Sequence, residues 1–158
     1  MRILLKVPPT WYVEPLGSGL THYRLPEVPA LRLLVSALVP LPADVSAWRV
    51  RELHALVPDE CELAVTGERR AFSDLGWPMR VVDAECRRRG DVLELWLAVF
   101  LQSGAAGGVA LARAPRTDLD GERRRQLLAI LSTARADSAG GASGLWGGLA
   151  APEGKARA

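Results

Sequence analysis

The chain has 158 residues, 49% of them hydrophobic and 24% charged, which suits one domain that builds its own core without disulfides or metals. Twenty basic residues against 18 acidic ones leave a net charge of +2, too balanced to predict nucleic-acid binding. No run approaches the ~20 apolar residues of a membrane helix, and the apolar start, Met1 to Val7, stops at Pro8-Pro9, too short for a secretory leader. The sequence therefore predicts a cytoplasmic chain with no membrane insertion. Only Lys6 and Lys155 are lysines; the excess of arginine reads as the codon bias of a GC-rich bacterial genome, not as a binding signal.

In chain order, residues 2–7 predict a first strand. Trp11 to Val13 and Leu20 to Leu25 can pair around the turn Pro15-Leu16-Gly17-Ser18-Gly19. Leu31 to Val39 is a further strand, stopped by Pro40 and Pro42. Asp44 is a good N-cap for a helix to about Leu56, with Val45, Trp48, Leu53 and Leu56 near one face. Cys61 to Phe72 predicts a strand broken at Gly67. Arg80 to Arg88 alternates, and Arg89-Gly90-Asp91 turns it tightly into Val92 to Leu101. Gly104 to Gly108 reads as a turn and Val109 to Arg113 as a last strand. Thr117 is the expected cap of a closing helix, whose stripe is Leu127, Leu128, Ile130, Leu131 and Ala134 and which ends near Asp137. Together these predict one α+β domain over 1–136: a mainly antiparallel sheet of about five to seven strands with two helices packed on one face. Residues 137–158 read as a flexible Gly/Ala-rich tail, whose only large apolar residues are Leu145, Trp146 and Leu149.

The strand Val92 to Leu101 is unusual. Leu93, Leu95, Leu97, Val99 and Leu101 share one face; Val92, Trp96, Ala98 and Phe100 share the other, with Glu94 the only polar residue there. A half-exposed antiparallel strand should be polar on one side. Something must cover the second face: the N-terminal hairpin, the tail, a second copy of the chain, or a partner protein. Trp96, Ala98 and Phe100, with Trp77 nearby, are thus the candidate partner-binding residues, and Leu145, Trp146 and Leu149 candidates for docking on this or another surface.

Catalytic and metal chemistry is poorly represented. His22 and His54 form no HxxxH, HExxH or Cys/His grouping, so no metal and no cofactor is expected. Cys61 and Cys86 lie 25 residues apart, in no zinc or CxxC spacing, and read first as two small buried apolar residues and second as a disulfide. Gly104 to Gly108 lacks the helix and lysine of a phosphate loop. Asp83 and Glu85 share a strand face; either could serve a small hydrolase or lyase with His22 or His54, but a solvated face is the simpler reading.

Several of these features together resemble the PsbP-like superfamily and, within it, the DcrB-like group. They are a Trp11-Tyr12 segment leading to a strand with Tyr23, the helix Asp44 to Leu56, the element Phe72-Ser73-Asp74-Leu75-Gly76-Trp77-Pro78 opening the meander, and a closing helix with Leu127-Leu128-x-Ile130-Leu131-Ser132. The resemblance spans about residues 10–136. It implies a non-enzymatic binding module. Cytoplasmic members resemble the effector-associated chaperones of type VI secretion, which work as dimers and shelter apolar effector segments on a sheet surface. On that resemblance the chain is expected to be a chaperone or adaptor for a bacterial secreted or assembled protein, with a structural homodimer subunit as the other non-enzymatic reading.

Overall fold

The computed structural model describes residues 1–17 and 19–137. The tail candidates Leu145, Trp146 and Leu149 lie outside the described residues. Ten strands and two helices follow one another as β1 (Ile3–Leu4), β2 (Tyr12–Pro15), β3 (Thr21–Arg24), β4 (Arg32–Val35), β5 (Val39–Pro40), α1 (Val45–Ala55), β6 (Glu62–Phe72), β7 (Pro78–Arg88), β8 (Asp91–Ser103), β9 (Ala106–Ala114), α2 (Gly121–Leu131) and β10 (Arg135–Ala136). The main sheet has the order β2-β3-β4-β9-β8-β7-β6, with β5 also on β9, and every pairing is antiparallel. β1 and β10 form a separate two-stranded ribbon. The fold is α+β, as the sequence predicts, with more strands than expected among the described residues, and with β7, β8 and β9 longer than expected.

Local chemistry explains most boundaries. The turn between β7 and β8 is two residues, Arg89 (φ 53°) and Gly90 (φ 84°). Both sit in the left-handed region that a type I′ hairpin requires, and its twist matches long strands on either side. The expected strand 31–39 divides because the Ser36 side chain takes over the ladder: its Oγ accepts from Val109 N at 2.8 Å and donates to Ala37 O at 2.9 Å. Gly108, opposite this break, has no room for a side chain; a Cβ there would stand 2.7 Å from Ile3 Cδ1 and 3.0 Å from Ala37 O. In α1 the Asp44 carboxylate accepts from Ala47 N at 3.0 Å, as predicted. α2 starts later than Thr117 suggests. Residues Arg116–Asp118 form a short 3-10 turn, Leu119 is buried, and Asp120 is the cap, accepting from Arg123 N at 2.8 Å. α2 also stops at Leu131, because Arg135–Ala136 leave the helix to pair with β1.

The two helices lie on opposite faces of the sheet, not on one. Leu97, Val99 and Leu101 of β8 belong to a cluster with Leu127, Ile130 and Leu131 of α2. Trp96, Ala98 and Phe100, between them in sequence, belong to a second cluster with Trp48 and Leu53 of α1. Trp48 meets Phe100 edge-on, with ring centroids 5.8 Å apart and planes at 72°. This answers the doubly apolar strand: β8 is covered on both sides by its own chain. Each large side chain so buried contributes about 1.5–3 kcal/mol of transfer free energy.

Cys61 and Cys86 are joined in a disulfide, Cα atoms 5.5 Å apart, and not held as separate apolar residues. The β6–β7 hairpin brings the start of one strand beside the end of the other, with Leu63 directly opposite Cys86. Spacing along the chain carries no trace of that register.

Candidate functional site

α1 does not cover its whole face of the sheet. Between it and the outer strands β6 and β7 runs a groove made of two adjoining clefts, of about 280 and 370 Å³. The cross-strand register builds its floor. Arg70 of β6 stands opposite Arg80 of β7, which stands opposite Phe100 of β8. The next row is Glu68, Val82 and Ala98, of which Glu68 and Val82 line the groove. Directly opposed residues point to the same side, so both rows face α1. Arg49, Arg80 and Phe100 line both clefts and form the saddle between them. One cleft continues over Val45, Trp48 and Phe72; the other over Val50, Leu53, Leu63 and Val65.

Two properties mark this groove. Large apolar side chains around it are open to solvent: Val50 at 57%, Val65 at 53% and Phe72 at 71% exposure. Its charge is also lopsided. Among the lining residues of both clefts are three arginines, 49, 70 and 80, and one carboxylate, Glu68. Glu68 is spent on a short ion pair with Arg80. Arg49 donates to Ser46 Oγ at 3.3 Å, and the Arg70 guanidinium has no hydrogen bond or ion pair within the described residues. Partial burial, and next the Arg80 charge, push the Arg49 pKa below the ordinary guanidinium value; Glu68 opposes and Arg70 adds to the fall.

No family model and no curated protein matches the sequence. Solved structures do match. The cyanobacterial PsbP protein (CyanoP) from Synechocystis superposes with a TM-score of 0.66 over 85% of this chain and 86% of its own, at 11% identity. PA94 from Pseudomonas aeruginosa, a protein of unknown function with a suggested regulatory role, superposes with a TM-score of 0.56 over 87% of this chain and 99% of its own, at 14% identity. The fold is PsbP-like. At these identities the likeness concerns the fold alone.

Within this PsbP-like fold the residues singled out from sequence fall in different places. Trp96 and Ala98 are each 1% exposed and Phe100 4%. The Trp96 ring is held between Glu94, whose Oε1 accepts from Nε1 at 3.2 Å, and the Arg113 guanidinium, 5.3 Å from the ring centroid. Arg113 Nε lies 3.0 Å from the same Glu94 oxygen but off the hydrogen-bond direction. Phe100 alone of the three also lines the groove. Trp77 is half-buried against the opposite cluster, so it shares no surface with Trp96 and Phe100. Of the partner-binding residues singled out from sequence, Phe100 lines this groove, whereas Arg49, Val65, Arg70, Phe72 and Arg80, which line it too, are not among them. A like-charge pair across two predicted strands was the available signal, but it needs the register to be seen.

The His–carboxylate pairs are not assembled. Four strand steps separate β3, which carries His22, from β7, which carries Asp83 and Glu85, roughly 19 Å at ~4.8 Å per step. His54 lines the groove on the α1 face, whereas Asp83 and Glu85 alternate with Val82, Ala84 and Cys86 and so point to the α2 face. Asp83 receives two hydrogen bonds from Arg124 of α2, at 2.8 and 2.7 Å, and Glu85 pairs with Arg87 and Arg116. Both carboxylates serve structural ion pairs. No group of three or more potential metal ligands occurs among the described residues.

His22 is itself a pH-sensitive point. Its Nε2 is buried without a hydrogen-bond partner, and burial, followed by the charge of Arg24, lowers its pKa; Glu14, 3.7 Å from Nδ1, only partly offsets this. The unfolded chain therefore takes up this proton at higher pH than the folded one. The His22 contribution to stability is complete above about 6.5 and is lost as pH falls through the lower folded value. Urea midpoints measured from pH 7.5 to 5 should fall more steeply for the native chain than for His22→Gln; parallel slopes would remove His22 as the cause.

Proposed function

We propose that this chain is a non-enzymatic binding module, a chaperone or adaptor for a bacterial secreted or assembled protein, and that it holds an apolar segment of that protein in the groove between α1 and β6. The observation that carries the reading is the exposure of Val50, Val65 and Phe72 around a floor of Phe100 and Val82. Exposed apolar side chains gathered on one concave surface mark interaction sites. The PsbP-like fold, shared with a protein of suggested regulatory role, supports a binding or regulatory role. No helix among the described residues is long and apolar enough to cross a membrane. Action in the cytoplasm would require the Cys61–Cys86 pair to survive a reducing compartment or be carried as two thiols; an oxidising compartment would keep the bond.

Charged substitutions at Trp96 or Phe100 would bury a carboxylate and test folding, not binding. The informative variants are Val50→Asp and Val65→Asp, whose side chains are open and whose effect on stability should stay within about 0.5 kcal/mol. With the tagged chain expressed in its native host, each should abolish co-purification of the partner seen with the native sequence. Unchanged co-purification overturns the reading. Light scattering of the same variants covers the homodimer: self-association that they remove would make a second copy the occupant.

A further inference from the structure

We propose that the segment held in this groove is acidic as well as apolar, with one apolar side chain for each cleft and carboxylates between them on the Arg49–Arg80 saddle. The inference rests on the groove reading above and adds the chemistry of its occupant.

Arg70 and Arg80 stand directly opposite on neighbouring strands, an arrangement that costs sheet stability because like charges repel at that distance. α1 brings a third guanidinium, Arg49, to the same place. One carboxylate, Glu68, offsets three cations, and it is already bound to Arg80. The Arg49 guanidinium feels both neighbours as repulsion. Local rules of this kind are broken where function requires it. A planar guanidinium fork matches a carboxylate in two-point hydrogen bonding, and a carboxylate placed here would relieve all three cations at once. The position of the charge between two apolar clefts, and not at one end, sets the order apolar–acidic–apolar in the bound segment. Nucleic acid fits less well: the floor is Phe100 and Val82, and the whole chain carries only +2.

Three short fluorescein-labelled peptides test this on the full chain by anisotropy: one alternating Leu and Glu, one with Lys for Glu, one with Ser for Leu. The Leu/Glu peptide should bind at least about tenfold more tightly than the Leu/Lys peptide at low salt, and the gap should narrow at about 0.3 M salt. The Ser/Glu peptide should bind weakly. Arg49→Glu with Arg70→Glu, the first half-buried and the second exposed and the variant checked for folding by circular dichroism, should reverse the preference so that Leu/Lys wins. Equal affinity for Leu/Glu and Leu/Lys, or Ser/Glu binding as well as Leu/Glu, overturns the inference. So does the absence of any Leu/Glu binding. If both Leu peptides bind equally and Val50→Asp abolishes both, the groove stands and only its acidic preference falls. If Val50→Asp changes neither peptide binding nor partner co-purification, the groove reading itself fails.

Discussion

Replacing Trp96 by alanine should destabilise the chain by about 3–5 kcal/mol, the range for removing a large aromatic side chain from a packed core. The ring is 1% exposed and lies in the α1-side cluster with Ala84, Ala98 and Leu111. Its removal leaves a cavity beneath α1. It also takes away the Nε1 bond to Glu94 and the ring face under Arg113. Folded domains of this size carry roughly 5–15 kcal/mol in total, so this one substitution should consume a large part of the margin. Urea unfolding followed by far-ultraviolet circular dichroism gives the value directly. A loss below about 1 kcal/mol would mean that Trp96 stands at a surface.

Leu97→Ala should cost about 2–5 kcal/mol, although Leu97 is the next residue and points the other way. It is fully buried in the α2-side cluster with Leu127 and Leu131. Strand neighbours face opposite sides of a sheet. In a strand with one wet face, one of the two substitutions would be nearly neutral. Large losses at both positions are the signature of a strand covered on both faces by the same chain, and parallel urea titrations of the two variants measure it.

That strand also shows how far the sequence could be read. Its doubly apolar pattern demanded two covers, and α2, with its stripe of Leu127, Ile130 and Leu131, is one of them. The other cover was α1, but the helix offers only Trp48 and Leu53 as buried residues, a stripe too thin to announce which face it takes. Two helices assigned to one face left the Trp96 side without a lid, and so made it look like a partner surface. Elements with strong local determinants were legible: the Asp44 cap, the Arg89-Gly90 turn, the β2–β3 hairpin. The start of α2 was not, because Thr117 and Asp120 are both competent caps and the choice depends on burying Leu119. Everything that depends on register was silent in the sequence. The disulfide of Cys61 with Cys86 and the facing arginines 70 and 80 both arise from one hairpin, β6–β7.

Occupation of the groove between α1 and β6 by a partner is the proposal on which the rest depends. Hydrogen–deuterium exchange of the full chain, free and bound to the co-purified partner, tests it most directly. Exchange should slow in 45–56 and 62–72, the two walls of the groove, with β2 and β3 unchanged. Protection confined to β2 and β3, with both walls exchanging as in the free chain, would contradict it.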